Sequence, residues 1–186
     1  MSTREYCTIA QIQNYLLYTI KEYFQPQVEE WIRQMSEYIE QETGRFFIAD
    51  EEASEKVYDG DGSDFIIIDD CVDITKVEVD DVEVEFLQSP ANALPVTMIK
   101  LEDSVFTKGD QNITVTAKWG YSVEVPSNIG FTCTVLVAGI INKSLNHDGE
   151  VRSISMGRHS VSYKDEKQLE DFENTAKTLA TYKRYN

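Results

Sequence analysis

The sequence has few of the residues on which disulfide-rich and zinc-binding proteins depend. Cysteine occurs three times in 186 residues, at Cys7, Cys71 and Cys133, and never with C-x-x-C spacing. An odd number of widely separated cysteines does not build a disulfide framework, so we expect reduced thiols. The two histidines are His147 and His159, and no H-E-x-x-H motif is present. Zinc and disulfide chemistry therefore have no support.

Short motifs of nucleotide binding and of nucleophilic catalysis are also absent. The chain has no G-x-G-x-x-G, no phosphate-binding P-loop and no G-x-S-x-G elbow. With 33 acidic residues, a close pair of carboxylates is expected by chance and does not indicate a hydrolase. We predict that the chain is not an enzyme and that it needs no cofactor.

Long apolar runs are missing as well. The longest apolar-rich run, 129–141, is shorter than the about 20 residues that a membrane helix requires. The first residues, MSTREYC, lack the apolar core of a secretion signal. We expect neither a secretion signal nor contact with a membrane.

Basic residues are scarce compared with acidic ones. The chain has 17 Lys and Arg against 33 Asp and Glu, a formal net charge of -16. Positions 50–103 contain 17 acidic and 3 basic residues, so nearly all of the excess lies there. Such a segment repels nucleic-acid phosphates and does not grip them. Two explanations of this acidic excess stay open. One is that the charge keeps the chain soluble, and the other is that it forms a surface that nucleic acid must pass without adhering.

The first fifty residues have the apolar spacing of two helices. TIAQ has the form of a capping box and begins the first helix, predicted over about 8–21. Pro26 suits the first turn of a second helix, and Gly44 suits its left-handed end. We predict that this helix covers about 26–43.

Short runs rich in Val, Ile and Phe follow, and they predict separate strands, among them FIIID and ITKVEVD. One set of apolar residues alternates with acids, which indicates a sheet with one buried face and one acidic face exposed to solvent. A hairpin is predicted around Asp80 and Asp81. The alternating apolar residues are Val77, Val79, Val82, Val84 and Phe86.

Pro126 and Ser127 open a third helix that reaches about 145 and is apolar on several sides. A strand is the alternative for this β-branched segment, although its length favours a helix that lies in the centre of a bundle or between subunits. Residues 150–163 form two alternating runs, a predicted hairpin with Gly157 at the turn. A fourth helix is predicted over about 165–182.

These elements predict an α+β fold of one domain. We expect mainly a helical bundle of about four helices, with an inserted small antiparallel β-region and a β-hairpin before the last helix. The single domain covers 1–186. It divides into helices 1 and 2 at 1–49, an acidic β-rich insertion at 50–119, and a last part at 120–186 that ends in a basic tail.

Residues 59–70, DGDGSDFIIIDD, have some features of a calcium loop. Asp59, Asp61, Ser63 and Asp70 are candidate metal ligands at EF-hand spacing. However, Asp64 replaces the turn glycine, Asp70 replaces the closing glutamate, and the flanks indicate strand. A glycine-rich acidic turn explains the same letters, so we predict no metal. The alternative hypothesis is a calcium-dependent acidic binding module.

Four phrases resemble one protein family. They are IEQETGRFF at 39–47, YDGDGSDFIIID at 58–69, WGYSVEVPSNI at 119–129, and VRSISMGRHSVSY at 151–163. In this order the chain resembles the head-tail connector, or head-completion adaptor, proteins of tailed bacteriophages and prophages. The length and acidity of 71–118 depart from the family.

The resemblance implies a structural virion protein. Such a protein forms a ring, typically dodecameric, that binds beneath the portal, extends the DNA channel and offers a platform for tail or stopper attachment. The implied partners are other copies of the chain, the portal protein and the next head-completion or tail protein. DNA would pass through without sequence-specific binding. The implied location is the virion head-tail interface, after assembly in the bacterial host cytoplasm.

Two segments are candidate partner contacts. The basic tail would help to dock the last helix on the portal, although cations also occur at helix C-termini for local reasons. The hairpin turn would contact a neighbouring subunit or the next ring. The same residues are also typical of an ordinary surface turn. The residues are Met156, Gly157, Arg158 and His159 in the hairpin, and Tyr182, Lys183, Arg184 and Tyr185 in the tail.

Overall fold

The computed structural model of the chain describes residues 4–145, 152–156, 159–163 and 166–184. The chain divides into two compact units. The helical unit comprises Met1–Gly44 and Val125–Asn186, and the sheet unit, Arg45–Glu124, is inserted between them in sequence. In the described residues, no helix is long and apolar enough for a membrane crossing. The single domain over 1–186 stays a prediction.

The first helix, α1, covers Ile9–Leu16. The predicted capping box is confirmed, because the Thr8 hydroxyl accepts from the Gln11 amide at 3.3 Å and the Gln11 side chain accepts from the Thr8 amide at 2.8 Å. The predicted end at about residue 21 is wrong. Leu17 adopts the left-handed conformation with φ of 58°, and this ends the helix early.

A short 3-10 turn at Glu22–Phe24 leads into α2, Gln25–Thr43. Pro26 lies in the first turn, and Gly44 ends the helix with φ of 67°, so both sequence signals are confirmed. The Gly44 amide donates to the Glu40 carbonyl at 2.8 Å. One face of α2 is buried, through Val28, Ile32, Met35, Ser36, Ile39 and Thr43.

Helix α3, Ser127–Leu145, lies in the centre of the helical unit. Every residue from 132 to 142 is buried, which requires neighbours on all sides of the helix. Those neighbours are α1, α2, the last helix and the second hairpin strand. The helical interpretation of this β-branched segment is confirmed.

The helical unit also contains a hairpin and α4. Strand β7, Arg152–Met156, pairs antiparallel with β8, His159–Tyr163, as the hairpin prediction required. Helix α4 covers Glu166–Tyr182, also as predicted.

The sheet unit contains one six-stranded antiparallel sheet in the order β1-β6-β2-β5-β4, with β3 paired to β2. Strand β2 is long enough to pair with β5 through its first residues and with β6 through the rest. The strands are β1 Ser54–Gly60, β2 Phe65–Val79, β3 Val82–Glu83, β4 Leu87–Ser89, β5 Val96–Lys100 and β6 Gly109–Trp119.

The predicted Asp80–Asp81 hairpin is confirmed. Both residues have positive φ, 51° and 62°, as a two-residue type I′ turn requires. Val77 and Val79 are buried as expected. Val82 is 64% exposed, so its predicted burial is wrong; β3 pairs for only two residues and lies outside the main order of strands.

The prediction of mainly a helical bundle is wrong. The described chain has four α-helices and a six-stranded sheet, with about 29% strand, which makes it α+β without a dominant bundle. The sheet unit has its own core, built around Ile68, Phe106, Ile113 and Trp119. The runs predicted as separate strands, FIIID and ITKVEVD, form one 15-residue strand. Strand β1 lies before the DGDGSD turn, and β2 follows it.

We predict that Gly120→Ala destabilises the fold more than Gly62→Ala. Both glycines have positive φ, so alanine costs about 1–2 kcal/mol at either position. A Cβ on Gly120 would also lie 2.4 Å from the Ala49 Cα, whereas a Cβ on Gly62 meets nothing within 4 Å. We expect a loss of about 3 kcal/mol or more for Gly120→Ala in urea unfolding. Equal losses for the two variants would contradict the close approach.

Candidate functional site

The predicted basic tail lies beside the end of α2. The Arg184 amide donates to the Thr43 carbonyl at 2.8 Å, which fixes Arg184 beside the end of α2. Lys183 is exposed, and Tyr182 and Arg184 are half-buried. The fourth tail residue, Tyr185, lies outside the described residues. Three of the four tail residues thus lie in the described part of the helical unit, and their role stays a prediction.

A groove between α2 and α4 is lined by Lys183 together with apolar side chains. Its volume is about 160 Å³. Burial, with the nearby charge of Glu42, raises the pKa of Tyr38 in its wall. A cation, a carboxylate and apolar side chains are therefore available to a partner at one place. The lining residues are Tyr38, Glu42, Phe172, Thr175, Ala176, Leu179, Ala180 and Lys183.

The second predicted contact is the end of the β7–β8 hairpin. The backbone pairs Met156 directly with His159. Gly157 and Arg158, the predicted turn residues, lie outside the described residues. The hairpin contact also stays a prediction.

The calcium-like stretch forms a turn between β1 and β2. One Asp61 carboxylate oxygen accepts from the Ser63 amide at 2.8 Å and from the Ser63 hydroxyl at 2.5 Å. These hydrogen bonds lower the pKa of Asp61. Asp59 accepts from the Gln111 amide at 2.6 Å. Aspartate bonding to a backbone amide two residues later is the geometry of an Asx turn.

Asp70 has a different role from the other candidate ligands. It is 7% exposed, and both of its carboxylate oxygens lie 2.6 Å from Arg45 Nη1. The Arg45 guanidinium also lies 5.6 Å from the centre of the Tyr121 ring. Removing one partner of such a buried pair leaves an uncompensated charge. Within the described ranges, no group of three or more His, Cys, Asp or Glu residues is arranged to hold a metal.

We predict that calcium does not change the melting temperature. A ligand that binds the folded state raises its stability by mass action, by about 2.7 kcal/mol at a hundred times the dissociation constant. Asp70 would first have to leave Arg45. Thermal melts in calcium and in chelator should therefore coincide, for the wild type and for Asp61→Asn alike. A calcium-dependent rise that Asp61→Asn removes would favour the binding module.

The acidic residues of 50–103 face solvent. Of these 17 residues, 12 are exposed and only Asp70 is buried. The sheet surface is therefore strongly negative.

Sequence reasoning missed an apolar patch on this acidic unit. Phe65 and Ile67 alternate with buried residues on β2, and their side chains are 41% and 64% exposed. Across β5, Lys100 is opposite both Phe65 and Leu87, so these side chains share one face. Leu87 is 49% exposed. The uninterrupted run FIII was the available signal, because successive strand residues point to opposite faces, so an unbroken apolar run places apolar side chains on both faces of the sheet.

No family model matches the chain, and no curated protein matches it. Solved structures do match. One is a chain from the neck of an empty GTA (gene transfer agent) particle computed with C6 symmetry, with a TM-score of 0.59 and 11% identity; the match covers all of this chain and 94% of that one. Another comes from the neck of a native GTA particle computed with C12 symmetry, with a TM-score of 0.54 and 11% identity, and covers 100% and 97% of the two chains. The chain therefore shares the fold of these neck chains.

Proposed function

We propose that this chain is a structural neck protein of a phage-like particle, a head-tail connector adaptor without enzymatic activity. It forms a ring beneath the portal, typically of twelve copies, extends the DNA channel and offers a platform for a tail or stopper protein. The observation that carries the proposal is the likeness of fold over the whole chain to chains from particle necks.

The charge of the sheet unit supports a passage role. A channel through which DNA moves must not hold the phosphates, and a negative surface repels them. Twelve exposed acids in 50–103 supply such a surface. We propose that this surface flanks the channel and that DNA is not bound in a sequence-specific way.

Ring formation needs two different surfaces on each subunit, because neighbours in a ring meet head to tail. Leu17 is a candidate for one of them. Its side chain is 90% exposed, and its φ of 58° costs about 1–2 kcal/mol for a residue with a Cβ. If this position served only to end α1, glycine would be favoured over leucine, because glycine adopts the left-handed conformation without a steric cost. We propose that Leu17 contacts the neighbouring subunit.

The experiment that tests the function is co-expression of the chain with the portal protein of the same particle. Rings of twelve copies on the portal should appear in negative-stain images, and native mass spectrometry should count the copies. A chain that stays monomeric beside an assembled portal, and that is absent from purified particles, would contradict the proposal.

Leu17→Gly separates the ring contact from the fold in that assay. Glycine adopts positive φ freely, so we expect an unchanged or higher melting temperature. Loss of the apolar side chain should weaken subunit association by about tenfold if its burial supplies roughly 1.5 kcal/mol. Thr19→Gly, another exposed position of the same loop, is the control. Rings of unchanged stability with Leu17→Gly would exclude this contact.

Lys183→Glu tests docking on the portal. Removing the tail together with the end of α4 would also remove Leu179, which is buried. A point variant at Lys183 therefore disturbs the fold less. Lys183 is exposed, so we expect an unchanged melting temperature and portal binding weakened by about fivefold or more. Lys108→Glu makes the same charge change on the sheet unit, where Lys108 is also exposed, and should bind normally. Equal portal binding by both variants would remove the tail as a contact.

A further inference from the structure

Two cysteines that are far apart in sequence meet inside the helical unit. Cys7 precedes α1 and Cys133 lies in α3, 126 positions later, and their sulfurs are 3.3 Å apart. Both residues are buried, with exposures of 2% and 0%. A disulfide has a sulfur–sulfur distance of about 2.05 Å, so the two sulfurs would have to approach each other by about 1.2 Å to form the bond. The third cysteine, Cys71, belongs to the sheet unit.

Hydrogen bonds hold the segment that contains Cys7 in this position. The Tyr6 amide donates to the Ser36 hydroxyl at 3.1 Å, and the Tyr6 hydroxyl donates to the Glu40 carboxylate at 2.6 Å. On α3, a Cβ on Gly130 would lie 3.2 Å from the Tyr6 carbonyl oxygen, which indicates a close approach of the two backbones. The residue next to Cys7 is thus fixed against α2 and α3, so the two sulfurs face each other in the folded state.

We propose that Cys7 and Cys133 are a site of reversible oxidation, and that they form an intramolecular disulfide when a low-molecular-weight disulfide such as glutathione disulfide is present in excess. The proposal depends on the two thiols and not on the function proposed above. Such conditions occur outside the reducing cytoplasm, including on virion surfaces.

The reaction balances as a thiol–disulfide exchange. The Cys7 thiolate attacks one sulfur of glutathione disulfide and releases one glutathione, which leaves a mixed disulfide. The Cys133 thiolate then attacks the Cys7 sulfur and releases the second glutathione. The two protein thiols lose two electrons and two protons, and the glutathione disulfide takes them up as two glutathione thiols.

The burial of the pair makes this reaction slow in the folded state. The hydrogen bond from Cys7 to Cys133, together with burial, raises the pKa of Cys7 well above its usual range. The protonated thiol is a poor nucleophile, so attack requires the segment before α1 to leave α2 and α3 for a short time. When this segment packs back onto α2 and α3, the mixed disulfide on Cys7 meets the Cys133 thiol.

The disulfide would join the segment before α1 to the central helix. It would close a long loop, and cross-links of this kind stabilise chiefly by restricting the unfolded chain. The oxidised protein should therefore melt at a higher temperature than the reduced protein. If the chain is a neck protein, released particles would carry a more stable subunit than the one assembled in the cell.

The test uses the purified full-length protein, incubated with glutathione disulfide or with a reductant. Peptide mapping without reduction should find one Cys7–Cys133 link, with the intact mass lower by two hydrogen atoms. The melting temperature should rise by roughly 5 to 15 °C on oxidation. Cys71→Ala should keep the link and the rise, since Cys71 belongs to the sheet unit, where its thiol donates to the Val96 carbonyl at 3.7 Å, and has no part in the Cys7–Cys133 contact.

Cys133→Ala should show no link and no rise in melting temperature. Mapping of the wild-type protein gives a result even if this variant folds poorly. Two free thiols at Cys7 and Cys133 after long incubation, or separate glutathione adducts on each, would overturn the proposal. A link between Cys71 and either of the others would also overturn it.

Discussion

The two ends of an inserted unit must be close enough for the surrounding chain to continue, and a small set of backbone hydrogen bonds brings them together here. The Tyr121 amide donates to the Phe46 carbonyl at 2.7 Å, and the Ala49 amide donates to the Ser122 carbonyl at 2.9 Å. Gly120 lies between them, where its backbone approaches Ala49 too closely for a Cβ. Strand β6 ends at Trp119, whose carbonyl accepts from the Asp50 amide at 2.9 Å, so the closure fixes the end of this strand.

Local sequence signals predicted the helices and one turn. A capping box, Pro26, Gly44 and the Asp80–Asp81 pair act through their own backbone conformations, and each was visible within a few residues. The proportion of sheet was not predicted, because β2 continues through acidic residues that resemble the end of a strand. Leu17 ends α1 in a conformation that no sequence signal for leucine indicates.

The features that would decide function are mostly non-local, and the sequence did not indicate them. Asp70 is buried because Arg45 meets it from 25 positions away, and the Cys7–Cys133 contact spans 126 positions. The tail residue Lys183 was identified from its charge alone, whereas its groove exists only because α4 packs on α2. At 11% identity the fold persists where the sequence does not, since many apolar combinations fill the same core.

The paired ends of the sheet unit have a consequence for how such a chain changes over time. Since the Phe46 carbonyl and the Tyr121 amide are within hydrogen-bonding distance, a short linker between these positions would replace everything between them. The sheet unit therefore begins and ends at one place, so a change of length within it need not separate its two ends. Different inserted units could give one helical scaffold different surface charges.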